Sequence, residues 1–252
     1  MWKRNSLAWI LLAAACGLAG AAQPRIEYRV TRVAPLISGG LAINNAGATV
    51  GDFQFTGAGA HGFLTRGNST VEIGGLGEFR IFSIANGIND RFQVVGTSDV
   101  SGGTRGFIYG RGVPRDVNLF LPPTTTAAAI NNAGYVVGTY QFNFGPRRGY
   151  LRAPDGGFRD IGALPFTNPF TLPAAINKHG QVVGGSGPFV YRGNKIESTN
   201  ALIDPAGGYT ITSMQGINDK GQIVGTANQA GVAFGFAVRL DPCHGAADAR
   251  KQ

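Results

Sequence analysis

The stretch Ile217-Asn218-Asp219-Lys220-Gly221-Gln222-Ile223-Val224-Gly225 recurs, slightly altered, four more times in this chain. The other copies begin at Ile43, Ile88, Ile130 and Ile176. The successive spacings are 45, 42, 46 and 41 residues. A near-constant period of this length indicates a repeat architecture in which each unit buries its apolar face against its neighbours.

Each copy predicts a tight β-hairpin, because Ile-Asn is followed by two polar positions, a glycine and a β-branched pair. The asparagine side chain can bond the main chain two residues later, as in an Asx turn, so its predicted role is structural. The five asparagines are Asn44, Asn89, Asn131, Asn177 and Asn218. In one copy Arg91-Phe92 replaces a residue followed by glycine. We expect that hairpin to be strained or differently bulged, with Phe92 exposed.

Two further strand signals follow each hairpin. The first is a glycine or proline followed by an aromatic residue and β formers, and its aromatic residues are Phe63, Phe107, Tyr150, Phe189 and Phe236. The second begins near Val71, Arg115, Arg159 and Ile196. Four short strands in ~40–45 residues form a β-propeller blade. We therefore predict an all-β, five-bladed β-propeller of repeats of about 43 residues, with the aromatic residues packed between sheets.

The two ends of the chain predict how the ring closes. The last unit stops near Asp241, after its third strand, while residues 28–36 resemble the fourth strand of the third unit, residues 158–164. An N-terminal strand that pairs beside residues 236–240 would complete the last blade and cover its exposed edge. A flat solenoid is the alternative.

Residues 1–22 predict a secretory signal peptide, with a basic start at Lys3-Arg4, an apolar run and a small-residue cleavage region. The apolar run is shorter than the ~20 residues of a spanning helix, which disfavours a retained membrane anchor. Lipidation at Cys16 is a weaker alternative, because Leu12 lies one place too early for the usual lipoprotein pattern. We expect an exported protein, extracellular or periplasmic, with a repeat domain over residues 23–242 and a C-terminal tail over residues 243–252.

Cysteine content and charge narrow the chemistry. Cleavage leaves Cys243 as the single cysteine, which excludes an intramolecular disulfide and leaves pairing between chains open. His61, His179 and His244 are scattered, so neither a metal site nor a cofactor is predicted. The net charge of +8 includes Lys3 and Arg4 of the signal segment. An exported monomer without long basic runs is expected to meet acidic polysaccharide or another cell-surface polymer, and no intracellular nucleic acid.

The repeat resembles a known family. The pattern Ala-Ile-Asn-Asn-x-Gly-x-Val-Val-Gly, then His-Gly-Phe-Leu, then Asp-Ile-Gly-x-Leu is similar to that of the HAF repeat proteins, a family of bacterial extracellular repeat proteins. Ala60-His61-Gly62-Phe63-Leu64 comes nearest to the His-Ala-Phe signature, and the other four units lack this histidine. The resemblance implies an extracellular protein of repeated β structure, and it brings no catalytic residues to this chain.

Two kinds of charged residue could carry function. Acids at Glu72, Asp90, Asp116, Asp160 and Asp219 recur at equivalent positions and have structural explanations, whereas Asp52 stands where other units have Thr or Gly. An arginine lies near the end of the third strand in every unit, and we call Arg66, Arg111, Arg152, Arg192 and Arg239 the arginine belt.

Two functions follow from these residues. The leading hypothesis is a non-catalytic secreted binding or scaffold module that acts at the cell surface or on an extracellular anionic polymer through the arginine belt. The alternative is a carbohydrate-active enzyme of glycosidase type, for which Asp52 would be the candidate carboxylate.

Overall fold

The computed structural model describes residues 38–55, 59–76, 82–117, 124–143, 145–164, 169–185, 187–231 and 235–242. The chain divides into two units, Met1–Arg32 and Val33–Gln252, and every described residue belongs to the second. The predicted signal peptide, the closing strand at residues 28–36 and the tail at 243–252 lie outside the described residues.

The described residues form five consecutive antiparallel sheets, in which each strand pairs with the next one along the chain. The first sheet contains β1 (Ser38–Ile43), β2 (Thr49–Phe55), β3 (Gly59–Arg66) and β4 (Ser69–Glu72). The second contains β5 (Ser83–Ile88), β6 (Val94–Val100), β7 (Gly103–Gly110) and β8 (Val113–Asp116). The third contains β9 (Thr124–Ile130), β10 (Val136–Gln141), β11 (Arg148–Arg152) and β12 (Phe158–Asp160).

The fourth sheet contains β13 (Leu172–Ile176), β14 (Val182–Gly185), β15 (Phe189–Arg192) and β16 (Lys195–Ser198). The described part of the fifth contains β17 (Tyr209–Ile217), β18 (Ile223–Gln229) and β19 (Phe236–Leu240). Two 3-10 helices, Thr199–Ala201 and Pro205–Gly207, connect the last two sheets. The predicted all-β fold is confirmed, and the four-stranded meanders have the strand arrangement of β-propeller blades.

The core consists of apolar layers between consecutive sheets. One such layer joins Val50 and Leu64 of the first sheet to Ile88 and Phe107 of the second. Three further layers join the second sheet to the third, the third to the fourth and the fourth to the fifth. Each sheet is therefore stabilised by its neighbours in the chain.

The glycine of each Val-Val-Gly or Ile-Val-Gly segment has a packing reason. The first strand of every sheet carries a bulge, and one of its carbonyl oxygens lies where a Cβ of this glycine would stand. A Cβ at Gly96 would overlap the carbonyl oxygen of Ile84 and lie 2.5 Å from the ring of Phe107. The aromatic side chain therefore occupies the space that the missing Cβ leaves.

The glycine before the aromatic residue allows the next sheet to approach. A Cβ at Gly106 would lie 2.9 Å from the main-chain carbonyl carbon of Thr126, on β9 of the following sheet. The main-chain N–H of Gly106 donates to Thr125 Oγ1 at 2.9 Å, and Gly62 N–H donates to Ser83 Oγ at the same distance. The Gly-aromatic signal thus marks the contact between neighbouring sheets.

Two sequence predictions need correction. Phe63, Phe107, Tyr150 and Phe189 are buried as predicted, and each lies opposite the glycine of the second strand. Phe236 is only half-buried, because the strand register places it opposite Ala227 and Met214 is the side chain that packs against Gly225. Phe92 is half-buried rather than exposed, and it packs against the layer between the first two sheets. None of the helices in the described part of the chain has both the length and the apolar character that a membrane crossing requires.

Candidate binding site on the turn face

The five hairpin asparagines connect neighbouring sheets. Within each turn the Asn Oδ1 accepts a main-chain N–H, as in the bond from Arg91 N–H to Asn89 Oδ1 at 3.1 Å, which confirms the predicted Asx geometry. In the first four turns, the Nδ2 group also donates to the carbonyl of the asparagine in the next turn. These bonds run from Asn44 to Asn89 (3.1 Å), from Asn89 to Asn131 (3.1 Å), from Asn131 to Asn177 (3.0 Å) and from Asn177 to Asn218 (3.1 Å).

The bond within the turn agrees with the sequence prediction, and the bond between turns was not predicted. A signal for the second bond was present, because all five copies use asparagine, although aspartate or serine can also form the local turn. An amide side chain supplies the acceptor and the donor of these two bonds on separate atoms, Oδ1 and Nδ2, whereas aspartate has no donor and serine has a single oxygen for both.

The five turns line one depression of about 390 Å³. The residues after the asparagines stand around it, and they are Asn45, Asp90, Asn132, Lys178 and Asp219. Asp90 accepts from Asn45 N–H at 2.8 Å, from Asn45 Nδ2 at 2.7 Å and from Asn132 Nδ2 at 2.7 Å. The main-chain bond from Asn45, followed by the side-chain bonds, lowers the pKa of Asp90. The Asp90 carboxylate therefore links neighbouring turns, which agrees with the structural role predicted for this residue.

Strand order places two sets of turns at the same end of the sheets. In a four-stranded meander, the turn after the first strand and the turn after the third strand lie at one end. The cavity between the third and fourth sheets contains both kinds, since Gly180 and Gly193 line it together. We call this end the turn face. The arginine belt lies there, at the ends of the third strands.

Three of the belt arginines are engaged by the protein itself. Arg152 is half-buried and donates from Nε to the carbonyl of Val117 at 2.6 Å, across the contact between the second and third sheets. Arg192 pairs with Glu197 at 3.4 Å, and Arg239 pairs with Asp241 at 3.0 Å.

The other two belt arginines share a cavity. Arg66 and Arg111 line a space of about 290 Å³ between the first and second sheets, which we call the first-junction cavity. The guanidinium carbon of Arg66 lies 4.1 Å from the ring centroid of Phe92, a cation–π contact. Arg111 is exposed and has no hydrogen bond or ion pair with any described residue. The remaining lining residues, all uncharged, are Leu64, Ser69, Val71, Tyr109 and Gly112.

Two larger clefts on the turn face have mixed charge. The cleft between the third and fourth sheets measures about 580 Å³, and Arg159 and Lys178 line it together with Asp155. The cleft between the fourth and fifth sheets measures about 870 Å³. Its charged lining comprises Arg192, Lys220, Asp204, Asp219 and Asp241. The first-junction cavity is thus the one of these three whose charged lining is purely basic.

The acids of the outer strands pair with bases on the adjacent strand. Glu72 Oε1 lies 2.6 Å from His61 Nδ1, and Asp160 Oδ2 lies 2.8 Å from Arg148. Asp160 also accepts the hydroxyl of Tyr140 at 2.7 Å, and burial together with this bond raises the pKa of Tyr140 to about 12. These pairs give the acids the structural explanation that the sequence predicted.

Asp52 lies half-buried on β2, opposite Gly39 and Gly62. Within the described ranges, no group of three or more His, Cys, Asp or Glu side chains is placed to hold a metal ion. Asp52 does not line the first-junction cavity. This cavity is the better candidate binding site, because two belt arginines line it together.

Two solved structures are similar to this chain in fold. Neither family models nor curated proteins gave a match to the sequence. TolB from Acinetobacter baumannii is similar at 13% identity and a TM-score of 0.45, over 63% of this chain and 40% of TolB. A candidate gluconolactonase is similar at 11% identity and a TM-score of 0.46, over 79% of this chain and 74% of that one. The matched region therefore spans about two fifths of TolB.

Proposed function

We propose that this protein is a secreted, non-catalytic binding module for anionic extracellular or cell-surface polymer, and that the polymer binds to the turn face. The observation that carries the proposal is the first-junction cavity, where Arg66 and Arg111 stand together and no carboxylate lines the space. Guanidinium groups bind sulfate, phosphate and carboxylate through paired N–H donors. A polymer can engage several such groups at once, which raises affinity beyond that of one contact.

The proposal includes closure of the five sheets into a ring, with the fifth sheet packed against the first. Ile43 on β1 is 68% exposed, whereas its counterpart Ile88 is 8% exposed against the preceding sheet. Val224 on β18 is 49% exposed, whereas its counterpart Val95 is fully buried against the following sheet. These two apolar faces are those that a fifth contact, between the fifth and first sheets, would bury. Together with the three described strands of the fifth sheet, they support closure by residues 28–36.

The proposed location is outside the cytoplasm. It rests on the signal-peptide pattern of residues 1–22 and on the resemblance of the repeats to HAF repeat proteins, which are extracellular. We also propose that the protein, once this segment is cleaved, is a monomer without a membrane anchor. Mass spectrometry of the exported chain tests this part, because a mature protein that starts at residue 22 or 23 supports it and retained residues 1–21 contradict it.

A retention experiment tests the binding function. Mature protein is applied to columns of dextran sulfate, polygalacturonate and uncharged dextran. We expect retention on an anionic column and none on dextran, with elution at moderate salt because ~0.1 M salt screens charges beyond ~10 Å. The double variant R66Q/R111Q should elute early. The matched control R192Q/R239Q removes the same charge from ion-paired arginines, and it should elute close to the unaltered protein.

Two results would contradict the proposal. Equal elution of both double variants would assign retention to net charge alone. Release of reducing sugar from polysaccharides by the purified protein, lost in the D52N variant, would instead establish the glycosidase alternative.

A further inference from the structure

Two residues of the first junction adopt a backbone conformation that glycine adopts elsewhere in the repeat. Phe92 has φ 59°, and the equivalent residues of the other four hairpins are Gly47, Gly134, Gly180 and Gly221, with φ between 75° and 90°. Arg111 has φ 57°, and the equivalent turn residues Gly67 and Gly193 have φ 55°. A side chain with a Cβ is strained in this region, which glycine enters freely.

Turn formation does not explain the strain. The Phe92 hairpin makes the same main-chain bonds as the others, with Phe92 N–H to the Asn89 carbonyl at 3.0 Å and Asn89 N–H to the Gln93 carbonyl at 3.1 Å. The matching bonds of the Gly134 hairpin measure 3.0 and 3.1 Å. Glycine would therefore form this turn at lower cost. Strained residues that persist are often those on which a function depends.

Both strained residues are associated with the first-junction cavity. Arg111 lines it directly, and Phe92 lies under the guanidinium of Arg66, which also lines it. Among the described residues, non-glycine residues with positive φ are Phe92, Arg111, Asn143 and Asn194. Asparagine tolerates this conformation through its short polar side chain. Of the two members with larger side chains, Arg111 lines the first-junction cavity and Phe92 contacts Arg66, which lines it.

We infer that the first-junction cavity is a binding site for one anionic sugar unit. In this site Arg111 and Arg66 bind the charged group, and Phe92 is a positioning residue for Arg66. This inference rests on the proposed function and narrows it to one junction. The volume of about 290 Å³ is near the lower end of small-ligand sites, which begin at about 300 Å³. Leu64, Val71 and Tyr109 supply an apolar wall for a ring face, and Ser69 adds a hydroxyl.

The equivalent positions elsewhere lack this combination. In the fourth sheet, Arg192 pairs with Glu197, and three aspartates line the adjoining cleft. In the third sheet, Arg152 is bonded to main-chain carbonyls. The anionic unit is therefore assigned to the first junction rather than shared equally among the five belt positions.

The test measures affinity and thermal stability of the mature protein and its variants together. The probes are a sulfated dextran oligosaccharide, its unsulfated parent and a polygalacturonate oligosaccharide, which separate sulfate from carboxylate as the charged group. R111G should weaken binding about tenfold or more, the size of a lost charged hydrogen bond. It should leave the melting temperature unchanged or raised, because glycine relieves the strain. R115Q removes one exposed charge on β8 as the matched control and should bind within about twofold of the unaltered protein.

Variants of Phe92 test the positioning role. F92L keeps an apolar side chain and the strained backbone but removes the ring, and it should weaken binding about threefold. F92Y keeps the ring and should bind as the unaltered protein does. Unchanged affinity in R111G or in F92L overturns the inference while leaving the proposed function intact. A lower melting temperature of R111G also overturns it, because the strain would then have a structural cause. Failure of the unaltered protein to bind either anionic probe overturns the proposed function itself.

Discussion

The three inner sheets and the two end sheets have similar sequences and different burial. Ile88, Ile130 and Ile176 are buried against the preceding sheet, while Ile43 of the first sheet is exposed. The side chain of Asn131 is buried and donates to the next turn, while Asn218 is exposed and donates to Gln222 within its own turn. The comparison teaches that a unit of this repeat obtains its burial from its neighbours, as in other repeat proteins.

The largest effect is expected from removing the segment that we propose to complete the end sheets. Deletion of residues 23–37 should lower the melting temperature by about 10 °C or more, because a fourth strand and the cover of two apolar faces would be lost together. Differential scanning calorimetry measures the change. A truncated protein that melts like the mature chain would mean that the end sheets are complete without this segment.

The next effect concerns the aromatic residue of the Gly-aromatic segment in an inner sheet and in an end sheet. F107A removes a fully buried ring and should cost about 3–5 kcal/mol of unfolding free energy. F236A removes a half-buried ring, next to which Met214 already fills the space at Gly225, and should cost about 1–2 kcal/mol. Chemical denaturation measures both values. Equal losses would show that Phe236 is buried by residues outside the described ranges.

The asparagine bonds between turns give a smaller effect. An Asn→Asp change keeps the side-chain oxygen that accepts within the turn and removes the donor between turns. N131D should therefore cost about 1–3 kcal/mol, because the buried carbonyl of Asn177 loses its donor and faces a carboxylate. N218D changes an exposed residue and should cost under about 0.5 kcal/mol. Similar losses for the two variants would contradict the distinction between inner and end turns.

The smallest effect is a pH dependence at Asp90, which links the turns of the first three sheets. Its pKa is lowered from 3.8, so the stability that it contributes is present above that value and is lost as the pH falls through the folded-state pKa. D90N should accordingly be less stable than the unaltered protein at pH 7, and the gap should narrow as the pH falls below 3.8 and close once Asp90 is protonated in both states. Melting temperatures across this range measure it, with D155N, at an exposed turn, as control. A gap that does not change with pH would exclude the carboxylate charge as its cause.

Local chemistry made much of the fold predictable. The Asn-Gly hairpins, the number of strands in each unit and the burial of four aromatic residues depend on short-range patterns, which residues near in sequence determine. The early end of the last unit was also visible, and the structure describes three strands there. The five arginines lie at or near the ends of the third strands, but the strand registers place them at different positions: Arg66 and Arg192 are equivalent, Arg152 and Arg239 lie one and two residues earlier, and Arg111 lies one residue later, in the turn.

Contacts between sheets decided the rest. Repeat position alone does not distinguish Arg152, which bonds the Val117 carbonyl, from Arg111, which lines an open cavity, because the difference comes from the neighbouring sheet. The half-burial of Phe92 likewise depends on residues distant in sequence, because Phe92 packs against the layer between the first two sheets and contacts Arg66. The sequence by itself determined the repeat, its turns and its strands, since these rest on local backbone preferences. Only the tertiary structure decided which side chains are paired, buried or left to face a cavity, since these depend on what the next sheet places opposite them.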